Sequence, residues 1–264
     1  MGDESRVSRD ENELQDKLMK GRALIFWLLA WCAHGFCDVA VQDTLTGTDV
    51  ITDAIYSAGK ESGQITVSGT DRMLVLLCSY WDAMSGPISS ATFNSVSPAS
   101  FTQYGSPYCN SASDCTEIWY TTESDEPPAE TATITVRSIA GISAAVCGAI
   151  ALDGVDIDGT PLDARVNADG TSTQSSVTVT SESGDLVLAL HKEYNKSVSA
   201  VSGTTIHNTD DGGEYGIAHY DTGTSVDMDV DYSASVAWAA SGVNINASGG
   251  ASDPSAAMVR RRGR

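Results

Sequence analysis

Aromatic residues in loops, carboxylates in turns, histidines near strand ends and closely spaced cysteines are the residues of this chain placed to do chemistry. Trp81 follows Tyr80 at the end of an apolar run, and Tyr104 and Tyr108 lie in "FTQYGSPYCN", residues 101–110. Ring faces exposed at a rim stack on sugars, which makes Trp81, Tyr104 and Tyr108 the candidate ligand-binding residues. The competing reading is plain packing, as expected for Trp119, Tyr120 and Trp238 within strands. In "LDGVDIDGTPLDARVNADG", residues 152–170, the Asp-x-Asp-Gly unit has the oxygen donors that a hard cation takes. Asp153, Asp156 and Asp158 are therefore the candidate calcium ligands. The run lacks the further spaced carboxylate and the late bidentate glutamate of an EF-hand, so Asp-Gly turns compete with that assignment.

Other chemistries lose support on spacing. His191, His207 and His219 form no H-x-H or H-E-x-x-H, and His191 and His219 meet only if their two segments are neighbouring strands. No C-x-x-C offers a zinc site, no G-x-S-x-G offers a nucleophile elbow, and "SAGKES" around Lys60 lacks the first glycine of a phosphate loop. Around Pro127 and Pro128, Glu123, Asp125, Glu126 and Glu130 read as a solvated loop tip. The prolines donate no ladder hydrogen bond, so they end one strand and stiffen the path to the next. In "SVDMDVDYS", Val226, Met228 and Val230 alternate with Asp227, Asp229 and Asp231, which gives one apolar and one wet acidic face.

The elements that position these residues are strands. Residues 71–81, "DRMLVLLCSYW", form a continuous apolar run of the kind buried on both faces. In "TATITVRS", Ala132, Ile134 and Val136 alternate with Thr131, Thr133 and Thr135. Further runs, "SAAVCGAIAL", "SSVTVT", "DLVLALH", "YGIAHY" and "VAWAASGVNINA", are separated by Gly, Asp, Asn or Ser. Roughly ten to twelve short strands without a helix-period segment predict an all-β fold, an antiparallel β-sandwich of jelly-roll type, over residues 41–247.

Charge and leader bound the compartment. From Asp38 to Val259 the chain has 29 acidic against 6 basic residues, within a formal net charge of -20. Such a body repels nucleic acid and anionic lipid, and suits a saline exterior. Residues 1–40 read as a signal-peptide region: Lys20 and Arg22 precede an apolar core from Ala23 to Ala33, too short for a membrane span. Translation from Met19 and cleavage after Gly35 or near Ala40 are the expectations. The tail, residues 248–264, is polar and then basic, with no apolar stretch to anchor it. Export permits disulfides: Cys109 and Cys115 suit a small ring, while Cys78 and Cys147 are either a cross-strand pair or buried thiols.

The order "DRMLVLL", "ISSATFN", "EIWYTT", a Pro-Pro loop, "ETATITV", "CGAIALDGVDIDGTPL", "GDLVLAL" and "WAASGVNI" resembles a β-sandwich module recurrent in secreted bacterial and some phage-associated proteins. The resemblance implies that the Pro-Pro segment is a hairpin turn and carries no catalytic residue over. The expected function is a secreted or cell-surface binding or adhesion module, with a glycan or surface polymer as partner and calcium as the one candidate cofactor. A secreted carbohydrate-active hydrolase or lyase, and a structural subunit of a virion or filament, are the alternatives.

Overall fold

A computed structural model describes residues 38–46, 49–52, 55, 58–81, 88–110, 113–121, 127–139, 142, 144–194, 197–211 and 214–248. The predicted signal region up to residue 37, the tail from 249 and the acids Glu123, Asp125 and Glu126 lie outside the described residues. Among the described residues no helix is long and apolar enough to cross a membrane.

The fold is all-β, antiparallel and sandwich-like, as the sequence predicts, with sixteen strands in three packed sheets among the described residues where ten to twelve strands are expected. The excess comes from strands of two residues, such as β5 (Ala99–Ser100), β6 (Thr102–Gln103) and β7 (Tyr108–Cys109), too short to show a period in sequence. The central sheet runs β1 (Ala40–Thr44), β10 (Ala145–Asp153), β3 (Met73–Trp81), β8 (Asp114–Tyr120) and β6, with β7 also on β8. A small sheet, β2 (Lys60–Thr66), β9 (Thr131–Ser138), β4 (Ile88–Phe93) and β5, covers one of its faces. The large sheet, β11 (Val166–Thr180), β16 (Ser225–Ile245), β12 (Leu186–Tyr194), β15 (Glu214–Asp221) and β14 (Thr204–Asp211), covers the other, with β13 (Val198–Val201) on β16.

Position in this stack explains the continuous apolar runs. Leu74, Leu76, Cys78 and Tyr80 of β3 pack toward the small sheet, while Met73, Val75 and Leu77 pack toward the large one. Neither face of β3 meets water before Trp81. Each fully buried leucine here contributes about 1.5–3 kcal/mol of transfer free energy. The alternating strand β9 behaves as predicted, with Ala132, Ile134 and Val136 buried.

The large sheet doubles over itself. Its longest strands, β11 and β16, pair along their whole length except at a register shift between Ser172 and Gln174. Beyond that bulge, Ser225–Tyr232 of β16 leaves β12 and pairs instead with β11 and β13. This flap buries Val226, Met228 and Val230 against Val187 and Ala189 of β12 and Ile217 of β15. Asp227 stays exposed, receiving a hydrogen bond from Thr178, and Asp231 receives one from Gln174. The predicted apolar and acidic faces are thus the inner and outer faces of the flap.

Both cysteine pairs are bonded, Cys109 with Cys115 and Cys78 with Cys147, each with Cα atoms 4.1 Å apart on paired strands. The Pro-Pro segment departs from expectation. It joins β8 of the central sheet to β9 of the small one, so it is a crossing between sheets and not a hairpin turn. Arg72 Nε donates to the Pro127 carbonyl at 2.9 Å, and Glu130 accepts the Val96 N–H at 2.7 Å, which pins the described end of that crossing.

Candidate functional site

Alternation along β3 and β8 sets Trp81, Tyr104 and Tyr108 on the side of the central sheet that faces the large sheet. Trp81 lies opposite Asp114 and Tyr108 opposite Thr116, on the two flanks of β8. Trp81 is 40% exposed; both tyrosines are half-buried. The Tyr104 hydroxyl donates to the Asp163 carbonyl and the Tyr108 hydroxyl to the Asp169 carboxylate. Tyr104 also stands edge-on to Tyr120, with centroids 5.8 Å apart. The Asp169 contact, with burial second, pushes the Tyr108 hydroxyl up to about 12.

Between the tyrosines sits Arg165, which composition gave no reason to select. Its Nη1 donates to the Ser106 carbonyl at 2.8 Å, and its Nη2 reaches Thr116 O at 2.8 Å and Ser241 Oγ at 2.6 Å. One guanidinium thereby ties the loop between β6 and β7 to β8 and β16. Burial lowers it to about 10, which leaves it charged at neutral pH. The rim thus combines half-exposed ring faces, a fixed cation and the exposed carboxylates Asp163 and Asp169.

Of the candidate calcium residues, Asp156 and Asp158 share one turn and Asp153 stands at the end of β10. Asp153 ends β10 beside Gly69, Asp156 folds over the turn at Gly159, and Asp158 is exposed. Asp163, from the same run, accepts from Asn244 and Asn246, each at 3.0 Å, and so fastens the end of β16. Among the described residues no three His, Cys, Asp or Glu side chains are grouped as metal ligands would be.

Three interior groups stand out, of which the sequence pointed only to the meeting of His191 and His219, on condition that their strands are neighbours. Glu117, fully buried on β8, accepts from the Tyr80 hydroxyl, from Trp119 Nε1 at 2.7 Å and from the Ile88 N–H at 3.2 Å. Burial raises its carboxyl, and these donors oppose the rise. Lys192 of β12 and Asp114 of β8 face each other between the two larger sheets, with Nζ 3.9 Å from Oδ1.

The third group is a chain under the flap. Ser175 Oγ lies 2.7 Å from both Tyr232 Oη and His191 Nδ1; His191 Nε2 lies 2.9 Å from His219 Nε2; His219 Nδ1 lies 2.7 Å from the Ser202 carbonyl. The histidines meet because β12 and β15 are neighbours. The carbonyl end fixes every proton, since it only accepts. His219 carries its proton on Nδ1, His191 donates from Nε2, Ser175 donates to His191, and Tyr232 donates to Ser175. Both rings are neutral in this arrangement, and burial holds both below the ordinary 6.5, His191 well below. His207 lies elsewhere, on β14 against Gly148, and its ring nitrogens have no hydrogen-bond partner among the described residues. Burial takes it down to about 3.

Comparison of the chain with family models, with curated proteins and with solved structures finds no match in any of the three.

Proposed function

We propose that this chain is an exported extracellular or cell-surface binding module, with carbohydrate as its ligand class and the Tyr104–Tyr108–Arg165 rim as its binding surface. The observation that supports the reading is the guanidinium held by Ser106, Thr116 and Ser241 between two half-exposed tyrosines. Ring faces supply the apolar stacking that a sugar needs. The immobilised cation and the exposed Asp163 and Asp169 supply oriented polar contacts at little entropic cost. Two disulfides and an acidic, lysine-poor exterior suit a secreted or surface setting.

The test is binding of the full chain to a broad glycan panel, with calcium and again with chelator. Binding that falls about tenfold or more in Tyr108→Ala, which equals a loss of about 1.4 kcal/mol, supports this rim. Dependence on calcium would add Asp153, Asp156 and Asp158 to the site. Silence in both conditions, or binding indifferent to Tyr104→Ala and Tyr108→Ala alike, overturns the reading.

A further inference from the structure

Lys192 and Asp114 are 1% and 2% exposed, an amine and a carboxyl held 3.9 Å apart between two sheets. Together they have the composition of an amide and one water. Two features favour that conversion over a lasting ion pair. Burial raises the Asp114 carboxyl toward its neutral form, against the pull of Asn110 and Lys192, and a neutral carboxyl is the better electrophile. Asn110 then fixes its orientation: Nδ2 donates to Asp114 Oδ2 at 2.8 Å, while Oδ1 accepts the Asp114 N–H at 3.0 Å. This leaves Oδ1 toward Lys192 and aims a donor at the oxygen that gains charge when the carbon is attacked. Holding amine and carboxyl side by side in a water-excluded layer removes much of the entropic cost of their encounter.

We propose that Lys192 and Asp114 condense into an intramolecular isopeptide bond joining β12 of the large sheet to β8 of the central sheet. The ammonium passes one proton to the carboxylate. The freed amine attacks Cγ and forms the C–N bond; the Cγ–Oδ1 bond breaks, and that oxygen leaves as water with the transferred proton and a second proton from nitrogen. Oδ2 remains as the amide oxygen, accepting from Asn110. No oxidant or cofactor enters the balance. Cys78–Cys147 links two strands of the central sheet and Cys109–Cys115 joins β7 to β8, so neither disulfide connects the two larger sheets. The isopeptide bond supplies that connection and survives reduction. It is independent of what the rim binds.

The experiment is peptide mapping of the full chain after reduction, alkylation and proteolysis. The expected product is a branched peptide carrying Lys192 and Asp114, lighter by one water than its two parts, with the linear peptides missing. Asp114→Asn should give the same branch with loss of ammonia, and Asp114→Ala should give linear peptides. Linear, unmodified peptides from the wild-type chain, recovered as fully as the rest of the map, overturn the proposal whether or not the variants fold. A branch at Asn110 does the same.

Discussion

The large sheet buries polar groups on both faces, and it treats the two faces in opposite ways. Toward the central sheet lie groups that enter the fold as charges: Lys192 against Asp114, and Arg165 at the rim. Glu117, one layer further in, belongs with them. Toward the flap lies the chain from Tyr232 to Ser202, in which the tautomers are fixed and no member is charged; the one carboxyl buried on that face of β12, Glu193, stands beside its Tyr232 end and outside the chain. Burying a charge demands a counter-charge or several donors, whereas burying a neutral relay demands only that each donor find an acceptor. The two faces should therefore respond differently to truncation and to acid.

The largest effect is expected at the charged side. Glu117→Ala strands the Tyr80 hydroxyl, the Trp119 N–H and the Ile88 N–H in an apolar layer. The cost is about 3–5 kcal/mol of unfolding free energy at pH 7, read from urea denaturation. Glu117→Gln should cost less, because its carbonyl oxygen still accepts from Tyr80 and Ile88 while its NH2 meets the Trp119 donor. A Glu117→Gln loss close to zero would remove the premise that the donors, and not the packing volume, set the cost, because glutamine keeps the volume and mismatches only the Trp119 N–H.

Acid should weaken the neutral side. His191 and His219 have folded values below the ordinary 6.5, so below pH 6.5 the unfolded chain takes protons that the folded chain refuses. Stability is present above 6.5 and is lost as pH falls, by about 1.4 kcal/mol per pH unit for each histidine. The Ser202 carbonyl, and after it Asp229 and Asp221, draw His219 upward and soften its share. Glu117 acts with the opposite sign. Its folded value lies above the ordinary 4.5, so its contribution grows as pH falls and is lost as pH rises, whereas Asp114, once joined to Lys192, no longer titrates. Urea midpoints at pH 7.0 and 5.5 should therefore differ, and His191→Gln should shrink the difference. A flat profile would mean that the relay accepts a proton by reversing its donors, with Tyr232 turning away from Ser175.

This contrast was only half legible in the sequence. The all-β class, the buried run of β3 and the two faces at Val226–Asp231 followed from side-chain period, because a strand's environment is written two residues at a time. Sheet membership was not, because it depends on contacts between distant strands. The hairpin expected at Pro127 proved to be a crossing between sheets. The signal for the buried polar groups was nonetheless present. "LVLALHKE" continues a strand buried on both faces into three polar residues, and "CTEIWY" sets a glutamate inside an apolar run. Polar residues in such runs have to find partners, but the sequence does not say which. Arg165 sits in a turn-rich segment and left no signal of that kind.

The smallest expected effect isolates the rule behind the comparison. His207 is buried and neutral like the relay histidines, but its nitrogens have no partner among the described residues. Removing a polar group that makes no hydrogen bond forfeits little, because no partner is left stranded and the desolvation cost goes with it. His207→Leu should thus change stability at pH 7 by less than about 1 kcal/mol, even though the residue is 2% exposed. The ring lies against bare backbone, since a Cβ on Gly148 would come within 2.1 Å of its Nδ1, and a leucine occupies that space with a shorter side chain. The same variant also removes a group held at about 3, which subtracts one histidine from the acid slope, about 1.4 kcal/mol per pH unit below pH 6.5. A large loss at pH 7 would show that this ring is held by hydrogen bonds as the relay is. A small loss with a shallower slope would show that the relay's cost of truncation comes from its partners and not from the burial of imidazole itself.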